Sequence, residues 1–264
     1  MSTFIRSALG AVILSTLLAC GGGGGGGGKT PNPPAPPNMT GNWNIAAQST
    51  VFGGSPAYVA GYLTHSGTNI TGTVHVLGST CFQELTNIAV TGTSNGTQVT
   101  VTSAAVDSQV ISMTATLSSD GKTITAGTYT ITGGCANGDR GTVTGNAMPS
   151  LTGNFAGSFR STPYSSTQQV TASLTQGSTP DANGFLPLTG TVTFTNGQCF
   201  TSGSIAAGSG FVVGAFHIAT INTNNGQVLV YGQANNTATS INVEYEVESG
   251  GCYGDYGTGT LTRQ

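Results

Sequence analysis

Residues 86–132 read TNIAVTGTSNGTQVTVTSAAVDSQVISMTATLSSDGKTITAGTYTIT, and their pattern determines the fold. Apolar and polar side chains alternate along segments rich in threonine, valine and isoleucine, which is typical of half-buried strands. Asn95-Gly96 and Asp120-Gly121 interrupt the alternation where tight hairpin turns are expected. The stretch therefore predicts four consecutive strands, near residues 86–93, 97–103, 109–118 and 122–132.

The same pattern continues on both sides of this stretch. Four further strands are predicted near residues 41–48, 57–65, 69–77 and 141–147, with Ser66-Gly67 as another turn. Only 6% of the residues are charged and 42 are glycine, a composition that is poor in helix formers. Eight strands joined by hairpins close most simply into an up-and-down barrel, because closure removes exposed strand edges. We expect an all-β, antiparallel fold.

The chain is a tandem duplication. Three segments of the first half recur in the second, and the second half has turn signals at Asn183-Gly184, Asn196-Gly197 and Asn225-Gly226. The recurring pairs are Thr40-Gly41-Asn42-Trp43 with Thr152-Gly153-Asn154-Phe155, Ile70–Val74 and Cys81-Phe82 with Leu188–Val192 and Cys199-Phe200, and Gly133-Gly134-Cys135 with Gly250-Gly251-Cys252. We predict two barrels of about eight strands, at residues 40–148 and 149–264.

A pair of immunoglobulin-like β-sandwiches is the alternative fold. The cysteine separations of 54 and 53 residues fit the bridge between the two sheets of such domains. Those domains, however, bury a tryptophan between the two cysteines, and Trp43 precedes both. The sandwich therefore ranks second.

Four cysteines are expected to form two disulfides, Cys81–Cys135 and Cys199–Cys252. In an eight-stranded meander the third and seventh connections lie at the same end, and these connections carry the cysteines. Each bridge would stabilise the fold by roughly 4 kcal/mol in the chain-entropy model. Free thiols or a metal site are the alternatives, but no histidine or further cysteine lies at ligand spacing. We predict no metal and no cofactor.

The amino terminus carries a lipobox, Leu17-Leu18-Ala19-Cys20, after Arg6 and an apolar segment too short to span a bilayer. This arrangement resembles the processing site of bacterial lipoproteins. The resemblance implies a signal peptide over residues 1–19, lipidation of Cys20 and, because Gly21 rather than aspartate follows, the outer membrane. An ordinary signal peptide with an incidental cysteine remains the alternative.

Residues 20–39 form a linker of glycine followed by proline-rich sequence. Such a segment cannot bury apolar surface, so we expect an extended stalk that holds the folded part away from the membrane. The net charge is only −3 and the basic residues are scattered, which excludes a nucleic-acid-binding face. The predicted partner is a membrane, reached through the lipid anchor, with a small apolar ligand or an envelope glycan as further partners.

Gly41-Asn42-Trp43 resembles the Gly-x-Trp opening of lipocalin and avidin-like barrels. The resemblance implies a ligand inside the barrel, although biotin binding does not carry over because Trp43 is the only tryptophan. In lipocalins a late arginine packs on that tryptophan, and here Arg263 is placed to pack on Phe155. Arg140 lies at the wrong end for the same role. An aromatic residue that only plugs the core is the alternative.

The histidines are the first candidates for a site. His217 lies in an apolar segment and is predicted to point into the second barrel, where it is either a ligand contact or a core residue. His75 shares a strand face with Thr71 and Thr73, which predicts exposure to solvent. His65 ends a strand just before a turn. No sequence motif of a hydrolase or metalloenzyme is present.

Two further groups of side chains are candidates near the second barrel. Glu244, Glu246 and Glu248 alternate along one strand, so they share a face. A solvated outer face is the favoured interpretation, and a cation site is the alternative. Tyr253 and Tyr256 are predicted at the barrel mouth, where they contact a carbohydrate or peptide or serve in packing.

The sequence therefore predicts a non-enzymatic lipoprotein of the cell envelope, with no catalytic residue. The first hypothesis is that its barrels bind a small apolar or amphipathic ligand. The second is a structural or adhesive protein that acts through its polar outer face. A hydrolase is the third and least favoured hypothesis.

Overall fold

The computed structural model describes residues 37–197 and 199–264. The predicted signal peptide over residues 1–19, the lipidated Cys20 and most of the linker over residues 20–39 therefore lie outside the described residues. Within the described ranges the regular elements are strands. None of those residues forms a helix that is long and apolar enough to cross a membrane.

The first eight strands form a closed antiparallel barrel, barrel 1. Neighbours in sequence are neighbours in space, and β1 pairs with β8 to close the ring, from Trp43 opposite Ala147 to Ser49 opposite Gly141. The strands are β1 (Gly41–Ser49), β2 (Ala57–Ser66), β3 (Asn69–Leu77), β4 (Ile88–Asn95), β5 (Gln98–Ser103), β6 (Val110–Leu117), β7 (Thr123–Thr132) and β8 (Arg140–Ala147). The barrel prediction is confirmed, and the sandwich alternative is wrong because the sheet has no free edges.

The remaining strands form barrel 2 on the same plan, with one difference. Its fourth strand is split into β12 and β13 by residues 206–210, and both pieces pair with β11 and β14. The ring closes where β9 pairs with both β10 and β17. The strands are β9 (Gly153–Ser161), β10 (Thr167–Gln176), β11 (Leu186–Thr195), β12 (Ser202–Ile205), β13 (Phe211–Val213), β14 (Phe216–Thr223), β15 (Gly226–Ala234), β16 (Ser240–Val247) and β17 (Tyr256–Arg263).

Alternation of apolar and polar residues explains both barrels. In β16 the side chains of Val243, Tyr245 and Val247 are buried, and Glu244 and Glu246 between them are exposed. The glutamates thus lie on a solvated outer face, as predicted. Each barrel has its own buried apolar core.

In each barrel the first strand places a buried aromatic residue, Trp43 or Phe155, at one end, and a disulfide lies near the other end. Trp43 is almost fully buried, and its Nε1 donates a hydrogen bond to the Met39 carbonyl at 2.7 Å. Both predicted disulfides are formed, with Cα–Cα distances of 5.4 Å for Cys81–Cys135 and 5.8 Å for Cys199–Cys252. They join the third and seventh connections at the open end, which we call the mouth.

The two barrels pack directly against each other. Ala60, Leu77 and Val213 form a small buried cluster between them. The Asn42 amide binds the backbone of Gly214 twice, accepting from its N–H at 2.8 Å and donating to its carbonyl at 3.3 Å. Because both groups are buried, this pair ties β1 of barrel 1 to the β13–β14 turn of barrel 2.

The prediction that His75 faces solvent is wrong. Its side chain does point away from the core of barrel 1, but barrel 2 covers that face and leaves it 0% exposed. The imidazole stacks on Phe185 with ring centroids 4.6 Å apart, and Nε2 lies 3.1 Å from the Asn183 carbonyl oxygen. Strand alternation distinguishes inside from outside, but it cannot show that a second barrel covers the outer face.

Candidate functional site

Barrel 1 contains a cavity of about 410 Å³ that opens at the mouth. Its walls are aliphatic side chains that point inward from the strands. They include Ile45, Ala47, Val59, Leu63, Val74, Val76, Val90, Val101, Met113, Ile131 and Val143. A volume of this size matches a small organic ligand, and an apolar wall favours an apolar one.

The entrance to the cavity combines a loop, a disulfide and a polar rim. Phe52, 65% exposed, lies in the β1–β2 loop beside Gly53. Cys81 and Cys135 line the entrance, and Gln109 holds their two loops together. The Gln109 Nε2 donates to the Cys81 carbonyl at 2.9 Å, and its Oε1 accepts from the Ala136 N–H at 2.8 Å.

A hydrogen-bonded triad of Ser49, Asp139 and Tyr129 forms part of the rim. The Ser49 hydroxyl donates to Asp139 Oδ1 at 2.6 Å, and the Tyr129 hydroxyl donates to Asp139 Oδ2 at 2.9 Å. Burial and the adjacent carboxylate raise the pKa of Tyr129 to about 12, so its hydroxyl stays protonated and remains a donor at neutral pH.

Barrel 2 repeats the triad with Ser161, Asp255 and Tyr245. Ser161 donates to Asp255 Oδ1 at 2.6 Å, and Tyr245 lies 3.4 Å from Oδ2. Burial and Asp255 raise the Tyr245 pKa well above its ordinary value. These residues were missed in the sequence, although Gly138-Asp139-Arg140-Gly141 and Gly254-Asp255-Tyr256-Gly257 are a visible repeat.

The interior of barrel 2 is filled where barrel 1 is hollow. The repeat aligns Ala47 with Phe159 and Val76 with Phe194. In barrel 2 the Phe159 ring lies 5.3 Å from that of Tyr245 and 6.4 Å from that of Phe194, measured between centroids. Two small side chains in the first repeat therefore leave the space that aromatic rings occupy in the second.

The predicted ligand contacts do not come together. His217 is buried on the inner face of β14, its ring lies against Gly232, and its Nδ1 has no hydrogen-bond partner among the described residues. Tyr253 and Tyr256 are 74% and 52% exposed and lie at the mouth of barrel 2, the end opposite to His217. None of the three lines the cavity of barrel 1, and their role in ligand binding stays a prediction.

Other predicted residues have clear structural places. Arg263 lies over the Phe155 ring at 4.7 Å, the contact that the resemblance to lipocalins implies. Its guanidinium also donates to the carbonyls of Ala238, Thr152 and Ser150, so it seals the closed end of barrel 2. His65 bonds to Ser94 at 2.7 Å and accepts from the Met39 N–H, at the closed end of barrel 1. Among the described residues, no group of three or more metal-ligating side chains is present.

Comparisons with known proteins define no family. No family model and no curated protein matches the chain. A solved structure from Bacteroides fragilis, of a protein provisionally called an outer membrane protein, is similar at 13% identity and a TM-score of 0.27, over 86% of this chain and 98% of that one. The solved structure of a DUF3598-family protein of unknown function from Nostoc punctiforme is similar at 9% identity and a TM-score of 0.27. The similarity covers 85% of this chain and 96% of that one.

A third solved structure is kievitone hydratase from Nectria haematococca. It is similar at 11% identity and a TM-score of 0.22, over 88% of this chain and 91% of that chain. TM-scores this low carry no argument about function. What the structure itself shows is a protein of two packed antiparallel β-barrels, of which the first is hollow.

Proposed function

We propose that barrel 1 binds one small apolar or amphipathic molecule and that the protein is a non-enzymatic carrier. The observation that supports this is the cavity, which is apolar along its walls, closed at the Trp43 end and open at the mouth. The side chains that line an apolar cavity have no van der Waals partners on their inner side. A ligand of matching shape would supply those contacts. Aromatic side chains fill the interior of barrel 2, so in this proposal barrel 2 binds no ligand inside and stabilises barrel 1 through their interface.

The rim limits the chemistry of the ligand. Asp139 is the one charged residue among the described residues that line the cavity, and it lies at the mouth. A carboxylate or sulfonate head group there would meet a like charge in a partly desolvated site. We therefore propose a neutral ligand whose polar end donates a hydrogen bond, rather than a fatty-acid anion.

The test uses two matched fluorescent probes and the full-length protein. N-phenyl-1-naphthylamine is neutral and apolar, and 8-anilinonaphthalene-1-sulfonate has the same ring system with a negative charge. Trp43 is the single tryptophan and lies in barrel 1, so energy transfer from it reports a probe bound close to barrel 1. Because such transfer also reaches the neighbouring cleft, the filled variant described next assigns the signal to the cavity. We expect transfer to the neutral probe, and at least tenfold weaker binding of the sulfonate.

The control comes from the second repeat. The double variant Ala47→Phe/Val76→Phe places in barrel 1 the aromatic residues that barrel 2 accommodates, and it should abolish energy transfer while the barrel stays folded. Ala89→Phe adds the same ring at an exposed position on β4 and should leave binding unchanged. Unchanged binding in the filled variant, with its fold intact by circular dichroism, would show that the probe does not enter the cavity.

The cell-envelope location is part of the same proposal. It is supported by the lipobox, in which Cys20 would carry the acyl chains, and by the linker that follows. Several acyl chains on one residue anchor a protein stably, whereas one chain binds only marginally. The proposed protein thus presents its hollow barrel near a membrane, most simply the outer membrane, since Gly21 follows Cys20.

A structural or adhesive role is the second candidate. It is favoured by the filled core of barrel 2 together with the exposed Tyr253 and Tyr256 at its mouth. Exposed aromatic rings of this kind suit contact with a surface polymer. Failure of the probe experiment would favour this role over the carrier role.

A further inference from the structure

We propose that the cleft between the two barrels, together with the groove that continues from it across barrel 2, binds a neutral saccharide chain. The cleft has a volume of about 450 Å³ and the outer groove about 650 Å³. Gln233 and Asn242 line both, so the two form one continuous surface. This site is separate from the cavity of barrel 1 and does not depend on the carrier proposal.

Side-chain amides from both barrels face the cleft. Asn44 and Asn146 are register partners on β1 and β8 of barrel 1, and Gln233 and Asn242 are register partners on β15 and β16 of barrel 2. Each amide offers both a donor and an acceptor, which matches the dual character of sugar hydroxyl groups. No charged residue is among the described residues that line the cleft, and those of the groove include one carboxylate and one guanidinium, Glu244 and Arg160, whose charges balance. The combined site therefore favours a neutral ligand.

Asn44 supplies an independent sign that a ligand belongs there. Its side chain is only 9% exposed, and its Oδ1 accepts no hydrogen bond from the described residues. A buried acceptor without a donor is costly to leave unpaired. Its neighbour Asn235 also lines the cleft but is already used, because its Oδ1 accepts the Thr239 N–H in the β15–β16 turn. A ligand hydroxyl in the cleft would supply the donor that Asn44 lacks.

Aromatic rings lie where the cleft meets the groove. Tyr58 of barrel 1 and Phe216 of barrel 2 pack edge to face, with centroids 5.9 Å apart. Tyr231 follows on the outer face of β15 and is half exposed. The apolar C–H faces of sugar rings stack on such rings, and their hydroxyl groups then reach the surrounding amides.

Strand register arranges the groove in two rows across barrel 2. One row runs from Tyr231 through Glu244 and Thr258 to Arg160, and the next from Phe216 through Gln233, Asn242 and Thr260 to Ser158. Neighbouring strands are about 4.8 Å apart, so each row is roughly 15–20 Å long. This length suits two to four sugar units. A peptide is less suitable, because both barrels are closed and offer no free strand edge for it to pair with.

The test is a titration of the full-length protein followed by the ¹H–¹⁵N signals of its side-chain amides. Chitotriose and maltotriose are the probes, at millimolar concentration. Both present neutral hydroxyl-rich chains, and the comparison distinguishes an N-acetylated envelope-type glycan from a plain glucan. We expect saturable shifts of the Asn44, Asn146 and Gln233 amides with at least one of them.

Variants separate this site from unspecific contact. Asn146→Ala and Tyr231→Ala should each weaken binding about fivefold to tenfold, because each removes a hydrogen-bonding or stacking partner. Gln98→Ala removes an exposed amide on β5 of barrel 1, away from the cleft and the groove, and should leave the affinity unchanged. Absence of saturable shifts with both sugars, or equal affinity of the Asn146, Tyr231 and Gln98 variants, would overturn the proposal. Because the readout is not the Trp43 signal, either proposal can fail alone.

Discussion

The Ser–Asp–Tyr triad is the residue-scale device that both barrels share. In each, one carboxylate accepts from a serine at the end of the first strand and approaches a tyrosine of the seventh. The aspartate itself lies where the disulfide loop enters the last strand. One side chain therefore links the first, seventh and eighth strands at the mouth, in addition to their backbone pairing.

Burial of the ionisable side chain of His217 makes the stability of the fold depend on pH. Desolvation lowers its pKa from 6.5 to about 4, so the folded protein prefers the neutral ring. The unfolded chain binds a proton below pH 6.5, and the folded chain does so only near pH 4. The stabilisation from the neutral ring is therefore complete above pH 6.5 and is lost as the pH falls towards 4.

We expect the free energy of unfolding to fall between pH 6.5 and pH 4, by up to roughly 3 kcal/mol from His217. His217→Leu should remove most of this dependence, as measured by urea unfolding at a series of pH values. Part should remain, because burial also lowers the pKa of His75 at the barrel interface. Equal acid sensitivity of the wild type and the variant would mean that His217 does not titrate in this way.

At the scale of elements, the two repeats differ most in their fourth strand. In barrel 1 this strand is the continuous β4, whereas in barrel 2 residues 206–210 divide it into β12 and β13. The second piece leads into the turn at Gly214, which contacts barrel 1. The interruption thus coincides with the segment that joins the two barrels.

Gly214 fits this turn for two reasons. Its φ is +55°, and a Cβ at this position would lie 2.6 Å from the Ala60 Cβ and 2.7 Å from the Trp43 carbonyl oxygen. Gly208 has a similar φ of +75°, but a Cβ there would meet nothing within 4 Å. A substitution at Gly208 therefore introduces backbone strain only, whereas the same substitution at Gly214 adds a steric clash between the barrels.

We expect Gly208→Ala to cost about 1–2 kcal/mol of unfolding free energy, from backbone strain alone. Gly214→Ala should cost about 2–5 kcal/mol, because the added methyl also forces the two barrels apart. Urea unfolding followed by circular dichroism, which detects both barrels, measures both losses, and Trp43 fluorescence shows how much of the Gly214 loss reaches barrel 1. Similar losses in the two variants would show that the interface contributes little to the stability of barrel 1.

At the scale of the whole molecule, a disulfide constrains each barrel and an interface joins the two. Cys81–Cys135 and Cys199–Cys252 close loops of almost equal length, with sequence separations of 54 and 53. In the chain-entropy model each should therefore contribute about the same. Their effects on the two barrels can be told apart, since the single tryptophan lies in barrel 1.

Cys81→Ser/Cys135→Ser should lower the unfolding free energy of barrel 1 by about 4 kcal/mol, measured with Trp43 fluorescence in urea. Cys199→Ser/Cys252→Ser should shift the transition seen by circular dichroism by a comparable amount. Its effect on the Trp43 transition then measures how strongly barrel 2 supports barrel 1. A Trp43 transition that moves only with the first pair would mean that the barrels unfold independently.

The sequence by itself determined the barrel, its duplication and its disulfides, because strand alternation, turn residues and cysteine spacing are local or repeated patterns. The eight predicted strands near residues 41–147 lie within about two residues of β1–β8. Even the contact of Arg263 with Phe155 followed from sequence resemblance. For the candidate site, the sequence indicated a ligand inside a barrel but named His217, Tyr253 and Tyr256, which do not line the cavity.

Only the tertiary structure decided which barrel is hollow and which outer faces are covered. Whether Ala47 and Val76 leave a cavity depends on the combined volume of all the side chains that meet in the barrel interior. The sequence of a single strand does not determine that volume. His75 is buried because barrel 2 covers it, and the amides of the cleft meet because two barrels pack together. Such contacts join residues far apart in sequence, so local patterns cannot carry them.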